Sequence, residues 1–305
     1  MCQTDSKDIA AAFPGDGLDS SCIRGVSVRE CGMRLVGSIV LALCCMASVA
    51  SAQGLLWKLP AGEKTWCRYE GTYQQTVRRP GSAEGDLTLE WVRHLTIKSL
   101  SKEDGLYKGK TVPCRWIEIK LLTGHVNEGV VDAGPGGNRI YKLLVPESEI
   151  RGTVTETLPE KREMFVSFIP IVKGFRKIGD EPAALIQGGV FDLYPMVSYL
   201  RHFRELEATG DDEIVQTPFK EMSGKLSKGT IVTETPTLRT TTATEMHRAD
   251  DSPFGVAKWT AKINTETKQS TGARTTFAPS TEITETMALN AVGDDAETEL
   301  VTDGL

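Results

Sequence analysis

Apolar and polar residues alternate with a period of two over much of this chain, the mark of strands buried on one face. In 67–77, CRYEGTYQQTV, the residues Cys67, Tyr69, Gly71, Tyr73 and Val77 share one side; Arg68, Glu70, Thr72, Gln74 and Thr76 share the other. The turn-rich RRPGSAEGD follows, and 87–98 then places Leu87, Leu89, Trp91, Leu95 and Ile97 on one face. Two such runs across a short loop predict an antiparallel hairpin, and Asp104-Gly105 predicts the next turn. Segments 115–122 and 139–145 continue the pattern less cleanly. After Asp211-Asp212-Glu213 it resumes: a threonine-rich run over 230–248, then Ala257, Trp259, Ala261 and Ile263, then Ile283, Met287 and Leu289. Threonine is an ordinary strand former, and its spacing here has no fixed period, so plain strands are expected rather than a binding array.

One stretch has helical spacing instead. Over about 192–207, Leu193, Met196, Val197, Leu200 and Phe203 form a stripe. Asp192 can cap its start, Pro195 suits its first turn and Gly210 ends it. Residues 147–190 are broken by Ile169-Pro170, Gly174, Gly179 and Gly188-Gly189. The expectation is a mainly β, single-domain protein: about eight or more antiparallel strands in a curved sheet or half-barrel with one central helix, 192–207. A closed barrel or a sandwich satisfies the same pattern.

Met33–Ala52, MRLVGSIVLALCCMASVASA, reads differently. An arginine, a short apolar run and small residues at Ala50 and Ala52 before Gln53 are the features of a secretory signal peptide. The apolar run is shorter than the roughly 20 residues of a spanning helix. Leu43 before Cys44 is too large for a lipoprotein cleavage site. Residues 1–32 carry no periodic pattern, which fits either a disordered leader or a translation start at Met33. The expected mature chain runs from Gln53 to Leu305 as one β-rich domain, periplasmic or secreted, with no transmembrane helix.

Composition narrows the function classes. Removing residues 1–52 leaves a net charge of −5, without a basic cluster, so nucleic acid is not an expected partner. Of seven cysteines only Cys67 and Cys114 remain. In an oxidising compartment such a pair predicts a disulfide, which would stabilise the fold by about 4 kcal/mol; two buried free thiols are the alternative. The four histidines, His94, His125, His202 and His247, lack metal-ligand spacing, and GPGG at 134–137 lacks the Lys-Ser/Thr of a phosphate loop. No GxSxG occurs, so no catalytic, cofactor or metal residue is assigned. Acidic pairs such as Asp180-Glu181 and Asp250-Asp251 lie in turn-like sequence. Trp91 and Trp259 fall on the apolar side of their strands, and Trp66 and Trp116 flank the cysteines. Trp91, Trp116 and Trp259 are therefore candidates to line an apolar ligand cleft, against the simpler expectation of a filled core.

The stretches RIYKLLVPESEIRG (139–152), IPIVKGFRKIGD (169–180), SPFGVAKW (252–259) and WKLPAGEKTWCRYEG (57–71) resemble those of exported, uncharacterised proteins of planctomycete-type bacteria. That resemblance implies a compartment and no activity. The strand-rich pattern with one helix is also similar, at fold level, to the half-barrels of lipoprotein carriers. Three functions follow as expectations: an exported non-enzymatic protein binding an apolar or envelope-associated ligand or partner protein; an envelope-polymer hydrolase using two carboxylates; or a structural envelope component.

Overall fold

A computed structural model describes residues 56–133, 137–150, 155–157, 163–165, 170–186 and 207–302. The strands are β1 (Trp66–Val77), β2 (Leu87–Tyr107), β3 (Lys110–Asn127), β4 (Val130–Asp132), β5 (Asn138–Pro146), β6 (Thr155–Thr157), β7 (Glu163–Phe165), β8 (Lys173–Ile178) and β9 (Ala184–Leu185) in the first half. In the second half they are β10 (Glu207–Ala208), β11 (Glu213–Val215), β12 (Met222–Glu234), β13 (Leu238–Arg248), β14 (Val256–Thr267) and β15 (Ala278–Gly293). Thirteen of them form one antiparallel sheet in the order β10-β12-β13-β14-β15-β1-β2-β3-β5-β8-β9, with β11 on β12 and β4 on β3; β6 and β7 pair separately. The sheet is open. It consists of two meanders, β1 to β9 and β10 to β15, joined where β15 pairs with β1 along its whole length. The segment between β9 and β10 therefore links the two outermost strands.

The alternation seen in the sequence sets the register. Because side chains on a strand point to opposite faces in turn, directly paired residues share a face and form rows across the sheet. One row is Cys67–Ile97–Ile119–Tyr141; the next is Leu289–Tyr69–Leu95–Leu121; the next is Met246–Trp259–Met287–Gly71–Arg93–Thr123. The apolar members of these rows form the main core with Leu56, Trp57, Phe254 and Val256, and their face is called inward here. A second, smaller core of Leu100, Cys114, Trp116, Leu144 and Phe175 lies on the other, outer face, where Ala296 and Leu300 of the C-terminal segment cover it.

The chain departs from the sequence expectations at two places. Cys67 and Cys114 do not form a disulfide: both are buried free thiols. Cys67 belongs to the inward core and Cys114 to the outer one, so the sheet itself separates them and their Cβ vectors diverge. The turn expected at Asp104-Gly105 is one hairpin-end later, at Lys108-Gly109, whose φ values of 50° and 76° are those of a type I′ turn. Gly105 stays in β2, where a Cβ would meet the Cys114 Sγ at 2.9 Å. The helix expected over 192–207 lies outside the described residues, save Glu207, which opens β10. No helix of more than one turn occurs among the described residues, and none is long and apolar enough to cross a membrane.

Candidate functional site

Three layers succeed one another along the inward face. The lowest rows are sealed: Cys67, Tyr69, Leu95, Ile97, Ile117 and Leu289 have almost no exposed surface. Above them sits a charged layer. Arg93 of β2 and Glu285 of β15 occupy positions of apolar parity in their strands and meet across β1. The pair runs diagonally, since Arg93 is opposite Gly71 and Glu285 opposite Tyr73; Gly71 has no side chain, and a Cβ there would run into the β15 backbone at Thr286. Arg93 Nη1 lies 2.5 Å from Glu285 Oε2, and both residues are buried, at 9% and 3% exposure. Arg93 Nε donates to Thr123 Oγ1 at 2.8 Å, Trp259 Nε1 donates to Glu285 Oε1 at 2.8 Å, and the guanidinium covers the Tyr73 ring at 3.8 Å. Each oxygen of the carboxylate thus has a donor, as a buried charge requires. Burial raises the Tyr73 phenol above its ordinary value, against the opposing pull of Arg93.

The upper layer is different. Its rows are Ile231–Thr242–Ile263–Ile283–Gln75–Leu89 and Thr233–Thr240–Thr265–Thr281–Val77–Leu87. All but Thr242 remain partly exposed, as do Tyr73 and Trp91 just above the ion pair. Tyr73 and Trp91 are in ring contact at 5.8 Å, and Trp91 approaches His125 at 6.5 Å. The result is a wall of aliphatic and aromatic side chains, rimmed by threonines and floored by the Arg93–Glu285 layer.

The residues singled out in the sequence fall into distinct places. Trp91 belongs to the half-open wall. Trp259 lies in the sealed core at 1% exposure, edge-on to Tyr69 at 4.9 Å. Trp116 is on the outer face, beside Phe175 and Lys142 and donating to Glu103 Oε2 at 2.7 Å. The structure therefore does not bring these three tryptophans together. Burial pushes the Cys67 thiol up to about 12, so this is a packing residue rather than a nucleophile. His94 lies 3.9 Å from Glu70 on the outer face, and His247 lies 2.7 Å from Glu213. Among the described residues no three His, Cys, Asp or Glu side chains converge as metal ligands. Ala50, Ala52, Gln53 and His202 lie outside the described residues.

The residues missed were Arg93 and Glu285. Their signal was present: each interrupts an otherwise apolar face, with opposite charge, in strands whose other members were correctly assigned. No protein-family model matches this chain, and no curated protein is significantly similar to it.

Proposed function

We propose that the chain is an exported, non-enzymatic protein of the bacterial envelope whose inward sheet face binds an apolar ligand such as an acyl chain. The observation that carries this reading is the upper wall. Ile231, Ile263, Ile283, Leu87, Leu89 and Trp91 keep exposed surface on the same face whose lower rows are sealed. Exposed apolar surface organised on one concave or sheltered face is the usual form of a ligand site. Export rests on the signal-like Met33–Ala52 stretch and on the resemblance to exported planctomycete-type proteins. In this reading the sheet is the wall of a half-barrel. The alternative of a carboxylate-dependent hydrolase has less support, since Glu285 is already committed to Arg93 and Trp259.

The test is titration of the purified full-length mature protein with lauric acid, read by tryptophan fluorescence and by native mass spectrometry. One-to-one binding that Leu89→Glu and Ile283→Glu abolish, without loss of the folded circular-dichroism spectrum, is the expected result. An absence of saturable binding, together with no lipid carried by protein purified from its own envelope fraction, would overturn the proposal.

A further inference from the structure

A second site lies away from the wall, where the entry segment crosses the β13–β14 connection. Trp57 is held there as a fixed plane. Its backbone N–H donates to the Phe254 carbonyl at 3.0 Å, its indole N–H reaches the Met246 sulfur at 3.2 Å, and it is 7% exposed. Gly255 makes this approach possible. It adopts φ +84°, and a Cβ on it would sit 2.8 Å from the Trp57 Cβ. Arg248, displaced by the bulge at the end of β13, lays its guanidinium over the Trp57 ring at 4.6 Å.

That guanidinium is unusual. Its Nε is buried without a hydrogen-bond partner, and among the described residues no carboxylate forms an ion pair with the side chain, Asp250 acting on it only at longer range. It borders a cavity of about 400 Å³ that Lys58, Lys225, Asp212 and Asp250 also line. Lys58 Nζ is taken up by the Asp250 carbonyl, whereas Lys225 and Asp212 make no ion pair among the described residues. A planar guanidinium stacked on a ring, partly exposed at a cavity and without a carboxylate in contact, is the arrangement that recognises a carboxylate bidentately through its terminal nitrogens. Asp212, Asp250 and Asp251 line the same cavity, and these carboxylates disfavour a polyanion and suit a positive group on the same ligand.

We propose that this cavity binds a small zwitterion of the amino-acid or short-peptide class, its carboxylate on Arg248 and Lys225 and its ammonium towards Asp212 and Asp250. The site is independent of the apolar wall and stands or falls separately from it.

Isothermal titration calorimetry of the full-length mature protein with glycine and with triglycine tests this and separates the free amino acid from the peptide. Saturable one-to-one binding of either is expected. N-acetyl-triglycine, which lacks the ammonium, and the amide of triglycine, which lacks the carboxylate, should each bind at least about tenfold more weakly, the loss of one charged contact. Arg248→Gln should abolish binding, and Arg248→Lys should recover part of it. Should Arg248→Gln prove unstable, Lys225→Gln, at a partly exposed position of the same cavity, serves with the same direction of effect. No saturable heat with either probe, or acetylated and amidated forms that bind as tightly as triglycine itself, would overturn the proposal.

Discussion

Replacing Glu285 by glutamine keeps the shape of the side chain and removes its charge from beneath Arg93. The cost follows from where the pair sits. Both partners are nearly sealed from water, Arg93 Nη1 is 2.5 Å from the carboxylate, and the second oxygen already serves Trp259. Removing one member of a buried pair costs about 3–5 kcal/mol, because the remaining charge keeps its desolvation and loses its counter-charge. An internal comparison is available on the outer face, where Lys228 and Glu245 pair at 2.7 Å with about half of each side chain exposed. Glu245→Gln should cost under about 1 kcal/mol, since solvent screens that pair. Urea denaturation read by circular dichroism measures both, with the midpoint expected to move and the slope to stay constant. The double variant Arg93→Met/Glu285→Leu should recover most of the loss, since an apolar pair of similar volume can replace a buried ion pair at little net cost. With the single variants Arg93→Met and Glu285→Leu, the double variant completes a double-mutant cycle that gives the coupling directly. If Glu285→Gln lies within about 1 kcal/mol of Glu245→Gln, the charged layer is open to water, and the division of the inward face into sealed and half-open parts is wrong.

On the outer face, the fully buried Glu118 accepts hydrogen bonds from Lys98, the Thr298 hydroxyl and the backbone N–H groups of Glu299 and Leu300. Truncation after Gly293 should therefore cost at least about 3 kcal/mol and lower the melting temperature by roughly 6–12 °C, whereas an unchanged melting curve would show that the segment does not hold the sheet. Burial pushes both thiols up, that of Cys67 to about 12, so a thiol reagent should label neither cysteine until denaturant is added; rapid labelling of the native protein would contradict their placement. Burial, with Lys258 adding to it, holds His247 below its ordinary 6.5 despite Glu213 at 2.7 Å, and burial does the same for His94. The unfolded chain then binds protons first, so stability should fall as the pH drops below about 6.5, and His247→Gln should flatten the fall; a gain in stability on acidification would refute the assignment.

What the sequence made legible depended on how local the cause was. Strict alternation in 67–77, 87–98, 257–263 and 281–290 located β1, the first half of β2, β14 and β15 and set which side of each faces the core, because the pleat alone dictates that periodicity. The failures share a different origin. Asp104-Gly105 has the composition of a turn, but the glycine answers a contact from the neighbouring strand, the Cys114 sulfur. The cysteine pair suggested a disulfide by elimination, whereas the faces of Cys67 and Cys114 depend on the register of β1, β2 and β3 together. Trp91, Trp116 and Trp259 looked equivalent, yet their environments are set by neighbours on other strands. The ion pair is the instructive case, since its halves lie 192 residues apart. Neither Arg93 nor Glu285 is remarkable alone. Each breaks the apolar parity of its strand, and a charge at such a position must find a partner or unfold its surroundings. Two such breaks of opposite sign on inward faces are the sequence signal for the pair and for the pairing of β15 with β1, with Arg93 opposite Gly71 and Glu285 opposite Tyr73. That pairing closes the two meanders into one sheet, and it places the half-open wall directly above the charged layer.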